Sequence, residues 1–168
     1  LFHVDSEKPL VSSVYECHED NCNVEDLDWF GPNSGSFRLA WVANDNGIIL
    51  EHQLAIGTSQ DIDDVMTRFV PLDPMTSENG DSLSWLTGED YKEGQLYYTN
   101  IQVKDKAGNL SGIVSSDGFQ IDDSPPNTGE VNDGEGEDLD FSPSTSSITI
   151  SWDGFEDLES GIDHYRVL

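Results

Sequence analysis

Gln95-Leu96-Tyr97-Tyr98-Thr99-Asn100-Ile101-Gln102-Val103-Lys104 decides the fold class. Tyr97, Thr99, Ile101 and Val103 point one way, and Tyr98, Asn100, Gln102 and Lys104 point the other. An extended strand produces this two-residue period; a helix does not. The β-branched and aromatic residues in the stretch suit a pleated, half-buried surface.

The same signature recurs on both sides of this strand. Leu10 to Glu16 carries Val11 and Val14. Ser36 to Val42 alternates Phe37, Leu39 and Trp41 on one face. Leu50 to Ile56 groups Leu50, His52, Leu54 and Ile56. Val65 to Leu72, Ser82 to Leu86 and Ile113 to Ile121 complete a set of about seven short strands. Turn-forming clusters separate them: Pro32-Asn33-Ser34-Gly35, Asn44-Asp45-Asn46-Gly47, Glu78-Asn79-Gly80-Asp81 and Lys106-Ala107-Gly108-Asn109. Helical periodicity is confined to Ser59–Met66, where Ser59 could cap a single turn with Asp61, Asp63 and Asp64 in it. The expectation is an all-β chain with Greek-key connections and two packed sheets.

The chain also resembles itself. Phe2-His3-Val4-Asp5-Ser6-Glu7-Lys8-Pro9 aligns with Phe119-Gln120-Ile121-Asp122-Asp123-Ser124-Pro125-Pro126. Phe37–Trp41 then aligns with Ile148–Trp152, Gly47-Ile48 with Gly161-Ile162, and the His52 segment with that of His164. Residues 1–121 read as one complete β-sandwich repeat. Residues 122–168 read as the first part of a second, incomplete repeat that the following chain or a neighbouring subunit would finish. Asp122-Asp123-Ser124-Pro125-Pro126 is the junction, stiffened by its prolines.

Gly94 to Asn109 resembles the penultimate strand and following loop of fibronectin type III domains, and Ser115 to Asp122 with Pro125-Pro126 resembles the last strand and linker of their tandem copies. Trp152-Asp153-Gly154-Phe155-Glu156-Asp157-Leu158-Glu159-Ser160-Gly161-Ile162 is similar to a motif of large extracellular repeat proteins. The Cys17–Cys22 insertion and the Val65–Leu72 segment depart from a minimal repeat. The resemblance implies an immunoglobulin-like or fibronectin type III-like sandwich in tandem. It also implies structural, adhesion or filament roles at the cell surface or outside the cell, without intrinsic catalysis.

Charge excludes several function classes. Only seven Lys or Arg face 34 Asp or Glu, for a net charge of −27. Such a chain repels phosphate backbones and anionic membrane surfaces, so neither nucleic acid nor a bilayer is an expected partner. No apolar run approaches the ~20 residues of a membrane span. Leu1-Phe2-His3-Val4-Asp5 reads as folded chain rather than a leader, so an interior stretch of a longer polypeptide is expected. The acidic surface serves solubility, a high-salt setting or Ca²⁺ binding.

Cys17 and Cys22 read as a local disulfide of an oxidising compartment, with a metal pair alongside His18 as the competing reading. The small ring shapes a loop more than it holds the fold. Asp133, Glu135, Glu137 and Asp140, spaced by Gly134 and Gly136, form the candidate Ca²⁺ ligand set, although the spacing is not that of an EF-hand. The turn Asp157–Ser160 is a second candidate. Asn109-Leu110-Ser111 is an N-glycosylation sequon, and Ser142–Ser147 an O-glycan tract or a polar loop. His52 and His164 read as structural strand positions. No nucleophile elbow, HExxH, phosphate loop or dinucleotide fingerprint occurs.

Trp152, Phe155, Ile162 and Tyr165 are apolar residues that an incomplete repeat leaves uncovered, and so form the candidate assembly interface. The expected partners are neighbouring repeats or identical subunits in a fibre, and glycans. The alternative from another class is a carbohydrate-binding or accessory module of a secreted hydrolase, with Trp29, Trp85 and Tyr98 as its aromatic row.

Overall fold

The computed structural model describes residues 4–17, 26–31, 38–71, 81–82, 91–134, 138–142 and 144–167. Among them there is no helix. The strands are β1 (Leu10–Cys17), β2 (Trp29–Phe30), β3 (Arg38–Asn44), β4 (Ile49–Gly57), β5 (Met66–Pro71), β6 (Asp81–Ser82), β7 (Leu96–Asp105), β8 (Val114–Ser115), β9 (Phe119–Ile121), β10 (Glu130–Asp133) and β11 (Ile150–Asp153). The chain divides into two compact units, Leu1–Asp122 and Asp123–Leu168.

Among the described residues the first unit holds two sheets. One is β1-β3-β6, antiparallel throughout. The other runs β2-β9-β7-β4-β5, with β8 also paired to β7. Strand β7 organises the larger sheet. It takes β4 along one edge, and β9 then β8 along the other. Its alternation is as the sequence implies: Tyr97, Thr99, Ile101 and Val103 are all buried. Tyr97, Ile101 and Val103 join Val11, Val14, Leu39, Trp41, Leu54, Ile56, Phe30 and Phe119 in a cluster drawn from both sheets. A shared core of this kind is consistent with a β-sandwich.

Two bulges explain where simple alternation fails. A register shift between Val11 and Ser13 lets both Val11 and Val14 face inward although they are three apart. A second shift between Ile49 and Glu51 leaves Leu50 54% exposed, while Leu54 and Ile56 are buried and His52 is half-buried.

The stretch read as one strand, Ile113 to Ile121, is two short strands broken at Ser116-Asp117-Gly118. Gly118 has φ of +108°, and a Cβ there would lie 2.9 Å from the Tyr97 carbonyl oxygen. No other residue fits this bend cheaply. Serine side chains carry the ladder past such gaps. Ser116 Oγ accepts from Thr99 N–H at 3.1 Å, and Ser111 Oγ accepts from Val103 N–H at 3.0 Å.

The helical turn expected at Ser59–Met66 is a loop instead. Asp64 accepts from the backbone N–H and the hydroxyl of Thr58, closing the segment from its far end. Asp61 adopts φ of 62°, which a right-handed turn cannot contain. Buried Asn100 of β7 holds the loop down by donating to Ile62 O at 2.7 Å and accepting from Asp61 N–H at 3.1 Å. Strand β2 was not legible in the sequence, being two residues long. It pairs in parallel with β9.

Trp41 ties the sheets together. Its indole N–H donates to His52 Nδ1 at 3.0 Å, from β3 of one sheet to β4 of the other. Burial holds the His52 imidazole below its usual value, and the indole donor favours the neutral ring. A ring with a depressed folded-state pKa binds fewer protons folded than unfolded. The stability it supplies is present above pH about 6.5 and lost as pH falls. His52→Gln keeps an acceptor but does not titrate. Urea denaturation between pH about 7.5 and 5 is expected to show its stability falling less steeply than the parent's; parallel curves would remove His52 from the account. Gly118→Ala is expected to cost at least about 1 kcal/mol by the same measurement, and an unchanged midpoint would show that the bend tolerates a side chain.

Candidate functional site

In the second unit β10 pairs with β11, placing Val131 opposite Trp152 and Asp133 opposite Ile150. Gly129 lets the chain pass close to the next segment: a Cβ there would fall 2.2 Å from Asp153 O and 2.5 Å from the Phe155 ring. Asn127 N–H donates to Glu156 O at 2.7 Å, fixing that crossing. Asp157 Oδ1 accepts from the backbone N–H groups of Glu159, Ser160 and Gly161, and Gly161 takes φ of +79° to complete the turn.

This framework gathers three of the four residues expected to form an assembly interface. The Trp152 and Tyr165 rings lie 5.5 Å apart, and Phe155 meets Tyr165 edge-on at 5.9 Å. Trp152 is 44% exposed and Tyr165 50%; Phe155 and Ile162 are half-buried. Among the described residues of this unit no hydrophobic side chain is buried. Val131, Leu139, Phe141, Ile148 and Leu158 are exposed as well. Two strands bearing such a surface are marginal in water without a covering layer.

The other expected sites fare unevenly. Asp133 and Asp140 line one shallow depression with Ile148, but do not converge with a third metal-ligating side chain among the described residues. Glu135 and Glu137 lie outside those residues, as do Cys22, Trp85 and Phe37. In the Asp157 turn, Oδ1 is already engaged by backbone amides. Cys17 is buried and disulfide-bonded. Trp29 and Tyr98 stand in the same sheet, on β2 and β7. Asn109 is half-buried, and its Nδ2 donates to Asp105 Oδ2 at 2.7 Å and Asp5 O at 3.4 Å. A glycan on Nδ2 would leave one N–H for two acceptors. His52 serves the core as described, whereas His164 is exposed and pairs with Asp163 at 2.7 Å. The aligned Trp–His pairs of the two segments are thus used differently.

Sequence reasoning missed two acidic groupings assembled from distant segments: Asp5, Asp45 and Asp105, and Glu16, Asp26 and Asp117. In the first, the β4–β7 register brings two turns side by side, with Lys106 N–H donating to Ile48 O at 2.9 Å. Burial alone would raise the Asp105 carboxyl, but donors from Asn109 and the Gly108 and Ala107 amides hold it below its usual range. Asp45 Oδ2 accepts from Gly47 N–H at 2.9 Å, leaving Oδ1 buried and without a partner. Two turn motifs flanking adjacent antiparallel strands were the available signal.

Comparison with protein-family models, with curated proteins and with solved structures finds no match.

Asp45→Asn keeps an acceptor for Gly47 and removes one of three facing charges. In metal-free solution it is expected to raise stability by about 0.5–1 kcal/mol in chemical denaturation, and a loss of stability would show that the carboxylate is needed there.

Proposed function

We infer that this chain is a non-catalytic structural or adhesive module of an extracellular repeat protein. In this reading it is built from immunoglobulin-like or fibronectin type III-like two-sheet sandwiches in tandem. The β10–β11 pair of the second unit takes up strands from a neighbouring copy, by β-augmentation, so that the contact propagates into a fibre. The observation that carries the reading is the Trp152–Phe155–Tyr165 cluster beside the β10–β11 pair, with Trp152 and Tyr165 exposed. The acidic surface supports it, since a net charge of −27 keeps extended arrays from collapsing onto one another. The disulfide at Cys17 suits an oxidising compartment.

Sedimentation velocity over a wide range of concentration tests the reading. The chain is expected to self-associate, and Trp152→Ser is expected to weaken association about tenfold or more, as loss of a central aromatic anchor does. A folded monomer at every concentration would overturn assembly between copies.

A further inference from the structure

Asn46-Gly47 lies in the link between β3, which ends at Asn44, and β4, which begins at Ile49. Both residues are exposed. An Asn-Gly pair between antiparallel strands ordinarily serves a tight turn that needs positive φ at both positions. Here neither residue adopts a positive φ. The backbone conformation therefore does not explain why a glycine follows this asparagine.

Neither residue belongs to a strand ladder. Gly47 N–H donates to Asp45 Oδ2 at 2.9 Å, and Asn46 Nδ2 donates to Glu7 Oε2 at 2.7 Å. Both bonds are exposed side-chain contacts, so each opens without disturbing the strands on either side. Once they open, the Gly47 nitrogen can reach the Asn46 side-chain carbonyl carbon by closing a five-membered ring. A side chain on the attacking residue would obstruct that approach, and glycine has none.

We propose that Asn46 is a self-modifying site that loosens the segment leading into β1. The Gly47 nitrogen attacks Asn46 Cγ with its electron pair, and its proton passes to a solvent base. The bond from Cγ to Nδ2 breaks, and Nδ2 takes up a proton from solvent and leaves as ammonia. Water then opens the cyclic imide at either of its carbonyls. The product carries a carboxylate at position 46, on an ordinary backbone or on one lengthened by a carbon. One water is consumed and one ammonia released, with no oxidant or reductant.

The consequence follows from what Asn46 holds. Residues 4–9 precede β1 and form no strand. Side-chain amides tie them down: Asn46 Nδ2 holds Glu7, and Asn109 Nδ2 reaches Asp5 O at 3.4 Å. Conversion replaces the donor facing Glu7 with a second carboxylate, beside Asp5, Asp45 and Asp105 already gathered there. An attractive contact becomes a repulsive one. The site is independent of the assembly reading above, since it lies wholly within the first unit and needs only water.

Peptide mass mapping of the folded chain, aged at neutral and mildly alkaline pH, tests the site and separates Asn46 from Asn79-Gly80. Asn46 is expected to convert from amide to acid with isoaspartate among the products, faster at the higher pH. Gly47→Ala is expected to lose most of the conversion over the same interval. The backbone admits alanine there, and its Cβ would meet only the ends of the Asp45 and Asp5 side chains, at 3.2 and 3.5 Å. Asn46→Gln is expected to stay amidated, since its longer side chain would need a larger ring. Cleavage after Glu7 by a glutamate-specific protease is expected to speed up in the aged chain and in Asn46→Asp alike. Asn46 left intact in the folded chain while the urea-unfolded chain converts would overturn the site, as would Gly47→Ala converting as the parent does. Conversion with no change in cleavage at Glu7 would overturn the loosening.

Discussion

The inward face of β7 is the constraint on which the first unit depends. Tyr97, Thr99, Ile101 and Val103 leave water together only if a second layer covers them, and Leu39 and Trp41 of the opposing sheet provide it. Each strand of the larger sheet either pairs with β7 or with a strand that does. Removing apolar area of this kind from water is the dominant favourable term in folding. It also fixes register, because a slip of one residue would turn the whole buried row outward.

Polar groups then specify how the layers meet. The Trp41 indole reaches His52 across the core, Ser116 and Ser111 extend the β7 ladder where strands stop, and Asn100 pins the loop after β4. Each contact gives a buried donor a partner it would otherwise lack, so a wrong packing arrangement would leave several unmet at once. Asp45 Oδ1 stands out against this background as a buried atom to which the described residues supply none.

Period-two alternation made β1, β3, β4 and β7 legible in the sequence, because each is long enough to display it. The bulges at Ser12 and Leu50 were not legible, since a single extra residue leaves no compositional mark and is set by the partner strand. Strand β2 escaped for a related reason: two residues carry no period, and Trp29-Phe30 is ordered by β9, remote in sequence. The acidic groupings were hidden for the same cause. Asp45 reads as part of an ordinary turn cluster, and Asp5 and Asp105 lie far from it in the chain, as Asp26 and Asp117 do from Glu16. Only cross-strand register brings them together. The Trp152 cluster was legible because Trp152, Phe155 and Tyr165 fall within a short span of the chain.

The parallel pairing of β2 with β9 bears on how the first unit would respond to being pulled. Gln120 N–H donates to Asp28 O at 2.8 Å and Asp122 N–H to Phe30 O at 2.9 Å, while Leu96 and Tyr97 hold the other edge of β9. A pull applied along the axis of β9 runs crosswise to these bonds. They are therefore loaded in shear, sharing the force, rather than unzipped one after another from an end.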